Sequence, residues 1–488
     1  MKAFETIGKM WHNKVIWYMV TRYVTYAVQF IVSILVAAKL GPFQLGIWGF
    51  LLLLINYFNI FNFGIPNSTT VLMVKNKNDQ EKAGQVEVSS MVLMGIIGLV
   101  ILAIGVYYAI FGIPLFDKYQ IGNLFYFVCA IAIMQHFVSL FSLIARVRGS
   151  IAEVAFAQTV IPVLTLIAVL CFRDRILLLF LVLSYVIGNA LAILLFIKKK
   201  LVHFNGKPSR QACENIINKG KFLFIYNVCF YLIFLSSKTI VSKFYPVEEF
   251  GFFTFAYTLS NAVLLMMQAF TAIVFPKLID KFGSDNHAEV SLMLRNVRES
   301  YVTMSHAIMY VAFLLFPVLI HFMPKYDSAL SVVFYMGLTL LLYANSFGYS
   351  TLLIAQNAEK KLAVISFLSL FVNIATAIFL AVGIRCDFQY VIFATMFAYL
   401  IFTCLCVIYG KRLLSEQRGF LNVLNDSFPL RLLIPYVLMI AVVVFELGIL
   451  PMVAIALLFV LFNIKSIKEI FNLLRRILFN PNVVDINK

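Results

Sequence analysis

Residues 15–38 read VIWYMVTRYVTYAVQFIVSILVAA, an apolar run broken by a single charged residue, Arg22. A helix needs about 20 predominantly apolar residues to cross a bilayer, so this run is predicted to be a membrane span. Further runs of comparable length follow along the whole chain and bring the predicted total to 14 spans. The other thirteen are 43–70, 88–112, 121–145, 151–171, 176–197, 221–242, 250–275, 301–322, 328–353, 362–383, 388–409, 430–448 and 449–464.

The positive charges are distributed unevenly between the gaps that separate these spans. Alternate numbering of the gaps places 30 of the 39 Lys and Arg on the side of the N-terminus and 7 on the other side. Lys221 and Arg431 stand at the first or second position of their spans and are counted with the adjoining gaps, so only Arg22 and Lys238 lie deeper inside a span. Because cytoplasmic loops carry the excess of Lys and Arg, the pattern predicts an even number of spans with both termini in the cytoplasm.

The composition agrees with a polytopic membrane protein of the all-α class. The chain of 488 residues is 62% hydrophobic and 12% charged, with a mean hydropathy of +0.95. Its net charge of +17 reflects the cytoplasmic loops and their contact with anionic headgroups, so no nucleic-acid partner is expected. The seven cysteines form no CxxC pair, and this excludes the usual disulfide and zinc patterns.

The chain contains an internal repeat, in which adding 205 to a residue number leads to a similar residue. Matching positions carry the same residue in spans one and two and in spans seven and eight: Tyr26 and Tyr231, Gly46 and Gly251, Phe50 and Phe255, Asn56 and Asn261. Further along the chain the offset becomes 210. Because the offset covers an even number of spans, the two halves share one orientation in the membrane. We therefore expect two six-helix bundles related by a pseudo-two-fold axis, at 1–210 and 211–425. An extra helix pair and an amphipathic cytoplasmic tail occupy 426–488.

Polar residues inside the spans form a stripe in each half. Steps of three or four residues place Arg22, Tyr26 and Gln29 on one helical face, and the repeat gives Asn227, Tyr231 and Lys238 the same positions. Ionisable groups inside a membrane usually face a cavity, although Arg22 and Lys238 are each close enough to a span end to reach the headgroups. The predicted substrate-binding residues are Arg22, Tyr26, Gln29, Asn56, Asn227, Tyr231, Lys238 and Asn261.

The chemistry that the sequence lacks is also informative. None of its 22 acidic residues lies in the middle of a span, whereas exporters of cationic drugs generally need a buried carboxylate. Two cations without a buried acid favour an anionic substrate group. The absence of a phosphate-binding loop, a metal-ligand motif and a pair of catalytic carboxylates predicts a protein that is not an enzyme and uses no cofactor.

Several short motifs resemble those of a known transporter family. Residues Lys39–Gly46 (KLGPFQLG) are similar to the loop after the first helix of Wzx-type polysaccharide flippases, members of the multidrug/oligosaccharidyl-lipid/polysaccharide exporter superfamily. The order and spacing of the other motifs extend the resemblance over about 15–465. These motifs are FGIP at 63–66, KTIVSKF at 238–244, EFG at 249–251, AY at 256–257, FPK at 275–277 and LIA at 353–355 with lysines at 360 and 361.

This resemblance implies a MATE-like fold of two bundles around a central cavity, and a flippase function. Such proteins move undecaprenyl-diphosphate-linked oligosaccharides, including O-antigen units for lipopolysaccharide, to the outer face of the bacterial inner membrane. The implied partners are the lipid-linked oligosaccharide, membrane lipids, and a polymerase and chain-length regulator of the same pathway. Two alternatives remain: a small-molecule exporter of the same superfamily, and a membrane glycan polymerase or ligase, which would need a larger outer loop.

Overall fold

The structure is a computed structural model that describes residues 14–76, 78–204, 206–218, 221–284, 286–417 and 419–479. Within these ranges the chain is helical and forms no β-strand. Eleven described helices are long and apolar enough to cross a membrane, and the number is 12 if the bent pair Phe420–Ser427 and Leu430–Val444 is one span. The predicted all-α polytopic class is confirmed.

The first part of the chain forms eight helices. They are α1 (Lys14–Ile60), α2 (Ile65–Lys75), α3 (Gln80–Phe111), α4 (Pro114–Lys118), α5 (Leu124–Val147), α6 (Ile151–Cys171), α7 (Asp174–Lys198) and α8 (Arg210–Asn218). The remaining α-helices are α9 (Lys221–Phe244), α10 (Val247–Phe282), α11 (His287–His321), α12 (Leu330–Asn345), α13 (Tyr349–Ala355), α14 (Glu359–Ile378), α15 (Ile392–Leu413), α16 (Phe420–Ser427), α17 (Leu430–Val444) and α18 (Ile449–Phe479).

Each of the fourteen predicted spans is mostly helical, and α1 contains span one and most of span two. Gly41 interrupts α1 with φ of 71° and ψ of 171°, and Pro42 follows it. A proline lacks the N–H that would continue the helical ladder, and glycine adopts positive φ without a steric cost. The Lys39 ammonium donates to the carbonyl of Val169 at the end of α6, so the turn is also held from a neighbouring helix.

Two predicted boundaries are wrong. Span two was expected to run through 43–70 but breaks after Ile60, because Phe63 and Gly64 have φ of 48° and 71° and the Asn62 side chain accepts a hydrogen bond from the Gly64 N–H. The predicted span 328–353 is likewise interrupted between α12 and α13, where Gly348 has φ of 91°. The gap at 276–300 contains the end of α10 and the start of α11, and the helical stretch that the sequence predicts from His287 to Arg298 is confirmed.

The chain divides into two compact units. Unit 1 comprises the residues up to Val228 together with Tyr245–Gly251, and unit 2 comprises Cys229–Phe244 and the residues from Phe252 onward. The core of unit 1 contains a stack of aromatic rings, with Phe50 and Tyr119 nearly parallel at a centroid distance of 4.0 Å. These units come from contacts in the structure, and the domain boundaries at 210 and 425 remain a prediction.

An ion pair joins segments of unit 1 at their predicted cytoplasmic ends. Glu87 on α3 is fully buried, and its carboxylate accepts hydrogen bonds from the Arg148 guanidinium at 2.5 Å and from the main-chain N–H of His203 at 2.7 Å. Arg148 also donates to the carbonyl of Leu201. The loop that follows α7 is therefore bound to the bundle by one buried carboxylate, whose charge and lone pairs are satisfied.

Unit 2 has an ionic network at its predicted cytoplasmic end. Lys411 at the end of α15 pairs with Asp426 at 2.5 Å and with Glu416 at 3.3 Å. Arg298 on α11 donates to the main-chain carbonyls of Asn345 and Phe347, at 2.9 and 3.1 Å. These bonds anchor the short helix α16 and the turn between α12 and α13 to the longer helices.

Candidate substrate site

Lys238 is the best-defined residue of the predicted site. Its side chain lies in unit 2 and is only 3% exposed, with the ammonium 4.8 Å from the centre of the Tyr257 ring on α10. Phe234 packs against the same ring at a centroid distance of 4.8 Å. The face of an aromatic ring attracts a desolvated cation by about 2 kcal/mol, which offsets part of the cost of burying the charge. Lys238 is therefore enclosed by protein within unit 2.

A buried polar network positions the helix segment that carries Lys238. The Asn373 side chain on α14 is fully buried and donates to the carbonyl of Ile233 at 2.6 Å and to the hydroxyl of Ser236 at 2.7 Å. Ser237 shares a hydrogen bond of 2.8 Å with Thr395 on α15. These interactions join α9 to two neighbouring helices directly before Lys238, so the network fixes the rotation of α9.

Exposure decreases along the predicted stripe of α9. Asn227, which belongs to unit 1, is exposed, and Tyr231 in unit 2 is 43% exposed. Phe234 and Lys238, one and two turns further on, are buried. The stripe thus begins as an accessible polar surface and ends with a cation held within a bundle.

The stripe of the first span is partly described. The side chain of Arg22 lies outside the described part of the structure, so the predicted role of Arg22 stays a prediction. Tyr26 and Gln29 are half-buried, and the carbonyl of Gln29 accepts a hydrogen bond of 2.8 Å from the Ser33 hydroxyl. Thr25, directly before Tyr26, is 2% exposed and shares a hydrogen bond of 3.1 Å with Thr159 on α6.

The asparagines of span two differ in their surroundings. Asn59 donates to the Gln135 side chain on α5 at 2.7 Å, which is an ordinary bond between helices. Asn56 is half-buried one turn away, and its repeat equivalent Asn261 is half-buried in unit 2. Asn56 and Asn261 therefore keep partly accessible amides at matching positions.

The predicted residues lie in both units. Tyr26, Gln29, Asn56 and Asn227 belong to unit 1, and Tyr231, Lys238 and Asn261 belong to unit 2. Each set is described within its own unit. Their joint action on one substrate stays a prediction.

Three polar residues that shape these surroundings were missed in the sequence. Tyr257 is part of a recognised motif, but nothing in its spacing pairs it with Lys238. Asn373 could have been found as a lone amide in the middle of an apolar span. Glu87 lies one residue before a predicted span, so its complete burial was not expected. Among the described residues, no group of three or more His, Cys, Asp or Glu side chains is placed to hold a metal ion.

Comparison with known proteins decides the family. The sequence profile of the family described as "Polysaccharide biosynthesis protein" matches residues 12–282, more than half of the chain. This chain is a member of the polysaccharide biosynthesis protein family. No curated protein matches its sequence.

Solved transporter structures share the fold of this family member. The lipid II flippase MurJ, in an inward closed conformation, aligns over 93% of this chain and all of its own, with a TM-score of 0.67 and 15% identity. An inward-facing multidrug resistance MATE transporter of the MOP superfamily aligns over 81% of this chain and 98% of its own, with a TM-score of 0.66 and 13% identity. A MOP superfamily transporter from Pyrococcus furiosus covers 82% of this chain and 94% of its own, with a TM-score of 0.59 and 13% identity. At these identities the likeness shows the fold, and the predicted MATE-like architecture is confirmed.

Proposed function

We propose that this protein is a flippase for oligosaccharides linked to undecaprenyl diphosphate, of the kind that supplies O-antigen or a similar surface polysaccharide. The observation that carries the proposal is the match to the polysaccharide biosynthesis family over residues 12–282. A fold shared with a lipid II flippase supports it. In this proposal the protein moves its substrate by alternating access and catalyses no covalent step.

The physical requirement for such a protein is a polar path for the substrate headgroup. Moving an ionised diphosphate through hydrocarbon without compensation costs far more than binding can supply. Arg22 and Lys238 are proposed to attract the diphosphate, and the half-buried amides and phenols at Gln29, Asn56 and Tyr231 to bind sugar hydroxyls. Because the Tyr257 ring covers the Lys238 ammonium, the diphosphate reaches this ammonium only after the ring moves away.

The location and partners follow from the same reaction. The substrate is assembled on the cytoplasmic face, so the proposed location is the bacterial inner membrane with both termini inside. On the outer face a polymerase and a chain-length regulator would take up the delivered units. Membrane lipids surround the exposed apolar helices and hold the lipid tail of the substrate during translocation.

The test is deletion of the gene in its host, followed by extraction of the undecaprenyl-linked intermediates and a surface-glycan profile. We expect the surface polymer to be lost and single repeat units to accumulate on the cytoplasmic side. Wild-type protein and the variant Lys243→Met, which changes an exposed lysine one turn beyond Lys238, should restore the polymer. If Arg22→Ala and Lys238→Ala both leave the polymer unchanged at normal protein levels, the proposal is wrong.

The second candidate is export of a small molecule, favoured by the fold that this chain shares with multidrug resistance MATE transporters. It predicts unchanged glycan in the deletion strain and drug resistance on overexpression. Repeat units that reach the outer face but stay unpolymerised would instead indicate a polymerase or ligase.

A further inference from the structure

A pocket of about 580 Å³ opens in unit 1 where the predicted outer ends of three spans meet. It lies between the start of span two after the Gly41 break, the loop before α5, and the first turn of α7. The uneven charge distribution places all three segments on the face opposite the cytoplasm. The pocket is separate from the stripes of Arg22 and Lys238, and it plays no part in the proposed site.

The backbone around the pocket is held in an unusual conformation. Gln120 and Gly122 have φ of 51° and 46°, so the loop before α5 reverses direction sharply. Such a turn exposes side chains and main-chain groups on its outer edge. Residues in the left-handed region cost free energy unless the surroundings fix them, and a functional role is one reason for their presence.

Planar polar side chains line the pocket. The Arg175 guanidinium donates to the Gln120 side-chain oxygen at 3.1 Å, and the exposed Arg175 side chain forms part of the pocket wall. Asn123 directly precedes α5, but its side chain caps none of the N–H groups of that helix. Three amides and one guanidinium therefore surround the pocket, the third amide being Gln44.

Gln44 contributes an acceptor that lacks a partner. Its Oε1 atom is buried and accepts no hydrogen bond from any described residue. An unsatisfied buried acceptor is unfavourable, and its presence in a native protein calls for an explanation such as a bound water molecule or a ligand. Phe43 beside it is 43% exposed and presents an apolar ring at the pocket edge.

We propose that this pocket binds the saccharide part of the substrate on the outer face, an inference that rests on the proposed flippase function. Sugar hydroxyls both donate and accept, so they satisfy the Gln44 oxygen and the N–H groups of Asn123 and Arg175 together. No carboxylate is among the described residues lining the pocket, so it is not suited to a metal ion or an ammonium group. Its volume falls within the range of small-ligand sites, about 300–1,000 Å³.

The test is photocrosslinking in cells that depend on the protein for surface polymer. A benzophenone amino acid replaces Phe43 in one strain and Leu179, another lining residue, in a second strain. The control places it at Phe322, which is 79% exposed at the predicted outer end of α11. After irradiation, mass spectrometry of the probe peptide identifies the adduct, and only strains that retain surface polymer are compared.

We expect saccharide adducts, seen as mass increments of the probe peptide, at Phe43 and Leu179 but not at Phe322. Gln44→Leu should lower the yield of these adducts about fivefold, since that change removes one hydrogen bond to the sugar. An adduct cleaved by mild acid comes from the lipid-linked unit, and a resistant adduct from released glycan. Phospholipid adducts alone, or equal saccharide adducts at all three positions, would overturn the inference. Failure of the proposed function would appear separately, as unchanged glycan in the deletion strain.

Discussion

Gly46 and Gly251 are equivalent positions of the internal repeat, and they make reciprocal main-chain contacts within unit 1. A Cβ atom placed on Gly46 would overlap the carbonyl oxygen of Val247, and one placed on Gly251 would overlap the carbonyl oxygen of Pro42. Pro42 and Val247 are themselves equivalent positions of the same repeat. The contact is therefore symmetric, because Gly46 faces Val247 and Gly251 faces Pro42, the repeat equivalent of Val247. Such symmetry is expected for two segments related by a two-fold axis.

The first prediction concerns this contact. Gly46→Ala and Gly251→Ala should each force the two backbones apart, because the obstructing atoms are main-chain oxygens that cannot rotate away. We expect a loss of about 1–3 kcal/mol in stability, measured as a lower unfolding temperature, together with reduced surface polymer. Gly95→Ala is the matched control, since it adds a methyl group to a helical glycine with open space around it. The control should be neutral or slightly stabilising. Equal behaviour of all three variants would contradict the prediction.

The second prediction concerns the charge of Lys238. Lys238→Met keeps the length and apolar packing of the side chain against Tyr257 but removes the ammonium. We expect protein that folds with unchanged or higher stability and fails to restore surface polymer in the deletion strain, because burial of the cation is costly to the fold. Lys243→Met should restore the polymer. A Lys238→Met protein with normal transport would show that the buried charge has no role in translocation.

The third prediction concerns the inner loop of unit 1. Glu87→Gln retains the shape of the side chain but leaves Arg148 without its counter-charge and weakens the bond to the His203 N–H. Because Arg148 is partly exposed, we expect a moderate loss of about 1–3 kcal/mol. Limited proteolysis should cut the loop at 199–209 faster than in the wild type. The exposed Glu81→Gln on the same helix is the control, and an identical cleavage rate in both variants would refute the role of the ion pair.

The fourth prediction concerns the network behind Lys238. Asn373→Ala removes the donor to Ile233 and Ser236 and leaves buried polar atoms unsatisfied, which costs about 1–3 kcal/mol. We expect a lower unfolding temperature and reduced transport, since the rotation of α9 is no longer fixed. Ser369→Ala is the control on the same helix, because the Ser369 hydroxyl donates to the carbonyl of Ile365 within its own helix. The idea fails if both variants lose the same amount of stability.

The sequence predicts the spans well because a bilayer imposes a strong and local requirement. Every apolar run that is long enough to cross the membrane is mostly helical, and the break at Gly41 and Pro42 follows from their own backbone preferences. The errors lie where the determining interaction is not hydrophobic. The break after Ile60 depends on the Asn62 side chain, which accepts a hydrogen bond from the Gly64 N–H.

The surroundings of the candidate site were harder to predict than the spans. Helical periodicity predicts that Lys238 shares a face of α9 with Tyr231, but the contact with Tyr257 depends on how two helices pack. Likewise, the Gln44 acceptor and the turn at Gln120 lie far apart in the sequence and are brought together by tertiary structure. Residue type indicates what a side chain can do, whereas its partners follow only from packing.

The ion pair on the inner side of unit 1 has a consequence for biosynthesis. Glu87 is synthesised directly before the third predicted span, whereas Arg148 follows the fourth span and His203 follows the sixth. During translation the carboxylate therefore lacks the partners that it has in the finished protein until these later segments are made. The bonds of Glu87 in the first half of the protein are complete only after the loop that follows the sixth span has left the ribosome.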